Sequence, residues 1–216
     1  MTEQEQTGPR TEQVPGADSQ HGEGWAERVS APPSRGWVRA LTQKVPLLGQ
    51  LREDMRANDG VLRPGFQALA AARVGAWAHT SDAPGVLRRP VLAVSRAGQL
   101  FCRNVYGIDL PDSVQVGHRV RFVEQHGIVI HPFSVIGDDC IIRQGVTLGA
   151  ISGDPNRYAG EAPKLGRNVS VGANACVLGD VRVGDDVQIG PNATVMDDIP
   201  SRATVLSPRS RVMRAE

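Results

Sequence analysis

Aromatic side chains are scarce in this chain of 216 residues: phenylalanine, tryptophan and tyrosine together make up 4%. The core therefore has to be filled by Val, Ile, Leu and Ala. Cysteine is scarce too. Cys102, Cys140 and Cys176 lie far apart, without metal-ligand spacing, as expected for reduced thiols acting as small hydrophobic residues in a cytoplasmic protein. No His/Asp/Glu cluster has metal spacing, so no metal is expected. The formal net charge of +1 gives no electrostatic reason for a nucleic acid or a membrane surface as partner. No apolar run reaches the roughly 18 residues of a membrane span. The first residues, Met1 to Gln13, lack basic-then-apolar character, so no secretory signal is expected. No glycine-rich loop follows a strand and opens a helix, which argues against a phosphate loop.

What is present is a period of six. Leu165-Gly166, Val171-Gly172, Val177, Val183-Gly184, Ile189-Gly190 and Val195 recur at that spacing. Upstream, Val116-Gly117, Phe122, Ile130, Ile136-Gly137, Ile142 and Leu148-Gly149 keep the same beat. Six fits neither the 3.6 of a helix nor the alternation of a strand. It is the mark of a hexapeptide solenoid, each hexad one short strand and its corner, with the aliphatic residue pointing inward. The glycine that follows suits a corner with unusual backbone angles. Two interruptions stand out. Phe122 to Ile130 spans eight positions, predicting a bulge of two residues near Glu124–Gly127. After Leu148 the repeat stops until Leu165, predicting an external loop over 150–164. Interruptions of a rigid frame are where function tends to sit.

Before the solenoid the pattern changes twice. Residues 1–35, rich in Gln, Glu, Gly, Pro and Ser with Trp25 as the sole large aromatic, read as a disordered tail. Residues 36–106 read as an α-helical N-terminal domain. One stripe is Leu47, Leu48, Leu51 and Met55, with Pro46 near its first turn; a second is Phe66, Leu69, Ala70, Val74 and Trp77. A third helix over 88–105 starts near Pro90, after a turn at Asp82-Ala83-Pro84-Gly85. The solenoid covers 107–200, and 201–216 form a C-terminal cap or tail.

These residues resemble the hexapeptide-repeat acyltransferases, and among them the serine O-acetyltransferase group. The resemblance is carried by Arg52-Glu53-Asp54-Met55-Arg56-Ala57, by Pro64-Gly65-Phe66-Gln67-Ala68-Leu69 with Ala72-Arg73, and by Gly107-Ile108-Asp109-Leu110. Gly127-Ile128-Val129-Ile130, Gln144-Gly145-Val146-Thr147-Leu148-Gly149 and Ala162-Pro163-Lys164-Leu165-Gly166 extend it. It implies a left-handed parallel β-helix, a handedness that rests on the resemblance because the usual crossover is right-handed. It also implies acetyl transfer from acetyl-CoA to the hydroxyl of serine or a similar small acceptor, in cysteine biosynthesis. The assembly implied is a homotrimer or a dimer of trimers with each site between subunits. CoA would lie beside Gly149, Ala150, Gly172 and Ala173, with Arg211, beside Arg209, near its phosphates. Asp54 matches the family's acceptor-site aspartate, suited to an ammonium. The family's association with cysteine synthase depends on a C-terminal isoleucine, which Met213-Arg214-Ala215-Glu216 lacks.

Acetyl transfer to an alcohol needs a general base. The resemblance assigns this to an Asp-His pair, which falls on Val123 and Glu124, and places a second histidine of an Arg-His-Pro-Lys segment on Ala162, after Glu161. Both histidines are replaced. Either Glu124 is the base, with basicity raised by an apolar groove, or His126 on the bulge swings into the position. His131, at a corner that usually holds glycine, is the next candidate. His21, His79 and His118 read as surface residues. The replacements leave two alternatives to a serine enzyme: an acetyltransferase for a sugar or natural-product acceptor, and an inactive trimeric scaffold.

Overall fold

The computed structural model describes residues 47–80, 85–152 and 158–208. The tail 1–35 with Trp25, Pro46, the turn residues 82–84, loop residues 153–157, Arg209 and Arg211 lie outside the described residues. Three helices lead: α1 (Leu47–Ala57), α2 (Pro64–Ala78) and α3 (Gly85–Phe101), the last continuing as a π-helical turn, Cys102–Tyr106, capped by Gly107 at φ 62°.

The helices bury the predicted stripes only in part: Leu69 is fully buried, but most of the other large residues are half-covered. In α1 the fully buried side chain is Asp54, while Leu48 is exposed. In α2 the buried face is mostly small: Gly65, Ala68, Leu69, Ala72, Gly75 and Ala78, with Phe66, Val74 and Trp77 only partly covered. Small residues are needed because this helix presses its backbone onto its neighbours. A Cβ on Gly65 would lie 2.5 Å from the Phe122 carbonyl oxygen. α3 begins earlier than predicted and carries Pro90 inside it. An aliphatic stripe reads as a core face only where large side chains do the packing, and here glycine and alanine do it.

From Ile108 to Val205 the chain winds five coils of three short strands. Parallel ladders stack them into three sheets: β1 (Ile108–Asp109), β4 (Ile128–Ile130), β7 (Thr147–Gly149), β10 (Cys176–Leu178) and β13 (Thr194–Val195) form the first. The second holds β2 (Gln115–Val116), β5 (Val135–Ile136), β8 (Lys164–Leu165) and β11 (Arg182–Val183), which Ile199 continues by a bridge to Val183. The third holds β3 (Arg121–Val123), β6 (Ile141–Arg143), β9 (Ser170–Val171), β12 (Gln188–Ile189) and β14 (Thr204–Val205). The hexad residues are the core: Ile130, Leu148, Val177 and Val195 stack in register and are all buried.

The hexad glycines serve a different purpose from the one predicted. Gly117, Gly137, Gly166, Gly172, Gly184 and Gly190 are absent from the positive-φ positions, which fall two residues later at Arg119, Asp139, Asn168, Asn174, Asp186 and Asn192, with φ 54–59°. What the glycines avoid is the next coil. A Cβ on Gly137 would sit 2.3 Å from the Gly166 carbonyl oxygen, and one on Gly172 would sit 2.6 Å from Pro191 N. Five of the six are Asx residues, which tolerate the left-handed region, so the turn and the close approach are divided between two residues.

Helices and coils meet through polar groups. Asn58 Nδ2 donates to the Val120 carbonyl at 2.9 Å, and its Oδ1 accepts from Phe122 N at 3.0 Å. His118 pairs with Glu53 at 2.9 Å.

Candidate active site

Val123 pairs with Arg143 and Val129 with Thr147, so residues 124–128 in the first turn of chain oppose 144–146 in the next. The two-residue insertion is therefore present. Its backbone is unusual: Glu124 at φ 63°, His126 at φ 79° and Gly127 at φ 74° all occupy the left-handed region. For glutamate and histidine this costs roughly 1–2 kcal/mol each, and such strain concentrates at functional positions.

The insertion separates its two candidate side chains. Glu124 is exposed and lines a cleft of about 260 Å³ between the α1–α2 turn and β3. Asp59, Arg63 and Arg121 line the same cleft together with Pro64, Phe122 and Val123, so its wall mixes charged and apolar groups where an apolar groove was foreseen for Glu124. His126 turns toward the end of the π-helical turn, where its Nδ1 lies 2.9 Å from the Tyr106 carbonyl oxygen. A carbonyl only accepts, so Nδ1 carries the proton and Nε2 holds the free lone pair. The ring is exposed. This imidazole is oriented as a proton acceptor.

His131 is held differently. It is buried under the base of the external loop, its ring 4.1 Å from that of Tyr158, and its Nδ1 accepts from Phe133 N at 3.2 Å. Burial pushes its imidazole below the usual 6.5, against the opposing pull of the Tyr158 backbone and the Glu161 carboxylate. The unfolded chain therefore binds the proton more readily, and stability from the neutral buried ring is complete above pH 6.5 and lost as pH falls through the folded value. We expect the urea midpoint to drop between about pH 7.5 and 5.5, and to drop less in His131→Gln. Equal drops in both proteins would refute this.

Asp54 is fully buried, and Arg73 engages both of its carboxylate oxygens while donating to the Val116 and Gly117 carbonyls. Burial pushes the Asp54 carboxyl up and the guanidinium opposes it. Asp54 is not among the residues lining the cleft. Glu161 is buried as well: its carboxylate accepts from Ile151 N at 3.1 Å, Ser152 N at 2.7 Å and Ser152 Oγ at 2.9 Å. Beside it Ala162 is buried. Glu161 thus ties residues 151 and 152 to the far base of the loop.

Gly149 and Ala150 lie at one end of the first sheet's strands; Gly172 and Ala173 precede β10 at the other end. Among the described residues no three His, Cys, Asp or Glu side chains gather as a metal site, and no helix is long and apolar enough to cross a membrane. Cys140 is buried and its thiol is pushed up to about 12 by burial, which leaves it a packing residue. Sequence reasoning missed Asp59, Arg63 and Arg121 as neighbours of Glu124. Arg63 adjoins the Pro64-Gly65 segment that carried the resemblance, which was the available signal. The Tyr106 carbonyl had none.

Comparison with known proteins gives this geometry its context. Residues 162–197 match the bacterial transferase hexapeptide family of six repeats. The serine acetyltransferase of Helicobacter pylori strain 26695 is 33% identical over 76% of this chain and 91% of its own length. The chain belongs to the serine acetyltransferase family. The serine acetyltransferase of Synechococcus elongatus is 35% identical over 69% of this chain, which spans only 57% of that longer relative. The putative colanic acid biosynthesis acetyltransferase WcaB of Escherichia coli K12 is 32% identical over 74% of this chain and 96% of its own length. Among solved structures, soybean serine acetyltransferase superposes with a TM-score of 0.62 at 26% identity, covering 75% of this chain and 67% of that one. The coils are thus the left-handed parallel β-helix of this family. Within the serine acetyltransferases, Glu124 and Ala162 mark the two positions where the sequence resemblance led us to expect histidine.

Proposed function

We propose that this chain transfers an acetyl group from acetyl-CoA to the hydroxyl of serine, with His126 as general base. The observation that carries the reading is the serine acetyltransferase match across nearly the whole of the Helicobacter relative. The oriented imidazole supports the base assignment: Tyr106 holds Nδ1–H and leaves Nε2 free to accept the acceptor's proton. As Nε2 takes that proton, the hydroxyl oxygen bonds to the thioester carbonyl carbon. Collapse of the tetrahedral adduct breaks the C–S bond, and the imidazolium returns the proton to the departing thiolate, giving O-acetylserine and CoA. Glu124, two residues away in the charged cleft, serves acceptor binding.

Gly149, Ala150, Gly172 and Ala173 are proposed to line the CoA groove, with Arg211 toward its phosphates. The resemblance to the family, whose sites lie between subunits, supports a trimer or a dimer of trimers in the cytoplasm. Purified protein with acetyl-CoA and serine should release free thiol. Absence of release with serine, homoserine and neutral saccharides alike would overturn the transferase reading. Release with a saccharide alone would replace serine by the kind of acceptor that the name of the Escherichia relative suggests.

A further inference from the structure

The main-chain carbonyl that orients His126 belongs to a residue anchored at its other end. Tyr106 closes the π-helical turn, and its carbonyl oxygen accepts both the His126 backbone N–H at 2.8 Å and the ring Nδ1–H at 2.9 Å. Its phenol reaches back to the helices. Oη donates to Gln67 Oε1 at 2.8 Å, and the ring stands edge-on to Phe101 with centroids 5.1 Å apart. Gln67 is held in turn from its far side, its Nε2 donating to the Val61 carbonyl at 3.2 Å. That bond decides which way the amide faces. A carbonyl only accepts, so the amide nitrogen lies toward Val61 and the amide oxygen toward Tyr106. From the Val61 carbonyl to the His126 imidazole, donors and acceptors are thus matched at each step.

The hold on His126 is close. A Cβ on Gly107 would lie 2.9 Å from His126 Cα and 3.4 Å from its Nδ1, so the end of the turn meets the imidazole with no side chain between them. His126 sits at φ 79°, a conformation that persists only when its surroundings over-determine it. The last carbonyls of a helix have no partner within it, and here His126 supplies the partner. The switch from α- to π-helical winding, closed by Gly107 N–H on the Cys102 carbonyl, is a device found frequently at functional sites.

We propose that Gln67 and Tyr106 are positioning residues for the reaction: they hold the Tyr106 carbonyl against Nδ1–H, which keeps the imidazole in the tautomer whose Nε2 takes the acceptor's proton. The inference rests on the reading of His126 as general base and adds the residues that set its orientation. Both act through the ring and not on the reacting atoms.

Tyr106→Phe deletes only the phenol oxygen, and Gln67→Leu removes the amide at similar volume. In each, kcat for serine acetylation should fall about 2- to 10-fold, the effect of losing one ordinary hydrogen bond, with the KM for acetyl-CoA unchanged. The double variant should lose little more than the larger single loss, because both changes break the same line. Nitrogen chemical shifts of isotope-labelled histidine, assigned by comparison with His126→Ala, give a readout independent of turnover. The neutral His126 ring should carry its proton on Nδ1 in the unaltered protein and exchange it between Nδ1 and Nε2 in both variants. A ring that keeps Nδ1–H in both variants overturns the proposal, whatever happens to the rate, and leaves the base assignment standing. A mixed tautomer with undiminished kcat upholds the hold on the ring and refutes His126 as the base.

Discussion

Replacing His126 by alanine should lower kcat for serine acetylation by about 10²- to 10⁴-fold, the usual range for a positioned general base, with the KM for serine changed by only a few fold. The expectation follows from the division of labour within the insertion. His126 has a fixed ring and a free Nε2, whereas Glu124 stands in the separate charged cleft beside the α1–α2 turn. Added imidazole should restore part of the rate to His126→Ala, a rescue that a merely structural residue would not show. Glu124→Gln should act chiefly on the KM for serine. If the large loss in kcat appears in Glu124→Gln and not in His126→Ala, the base is Glu124 and the ring of His126 only packs.

The largest expected effect on stability lies at Arg73. Alanine there leaves the Asp54 carboxylate fully buried without its ion partner and removes donors to the Val116 and Gly117 carbonyls. Breaking one side of a buried pair costs about 3–5 kcal/mol, readable as a fall in the urea midpoint at unchanged slope. Replacing both residues, as Asp54→Leu with Arg73→Leu, should recover much of that loss, because no unpaired charge then remains. Asp54→Ala alone tests the sequence resemblance directly. Lowered stability with an unchanged KM for serine identifies a structural residue. Unchanged stability with a raised KM would return Asp54 to the acceptor.

The solenoid was legible because its signal is repetitive. Each inward residue reports one coil, and Leu148, Val171, Val177, Val183 and Ile189 agree with one another. The insertion was legible for the same reason, as a break in a counted rhythm. The helices were harder to read. Large aliphatic residues such as Leu48 suggested a core face, while the contact was made by Gly65, Ala68 and Ala72, whose smallness carries no periodic hydrophobic signal. The glycine corners were read with the right residues and the wrong cause, since sequence does not tell a strained φ from a crowded Cβ. At the site, the position of the insertion was available, but the direction of each side chain was not. That Glu124 faces Arg63 depends on where the α1–α2 turn meets β3, a contact between residues about sixty positions apart. That His126 presents Nε2 depends on one main-chain carbonyl.

The two ends of the β-helix are anchored unequally. The first coil has α1 bound to it through Asn58 and the Arg73 ion pair, whereas among the described residues β13 and β14 each ladder to one neighbour only. In a stack governed by nearest-neighbour interfaces, a coil with one interface opens at lower free energy than a coil with two. Amide exchange should therefore be graded along the axis, fastest around Thr194–Val205 and slowest in the middle coils. The insertion bearing His126 borders the well-protected end. The strain at Glu124 and His126 is thus held between the helix-braced first coil and the second, while the distal coils can breathe without disturbing it.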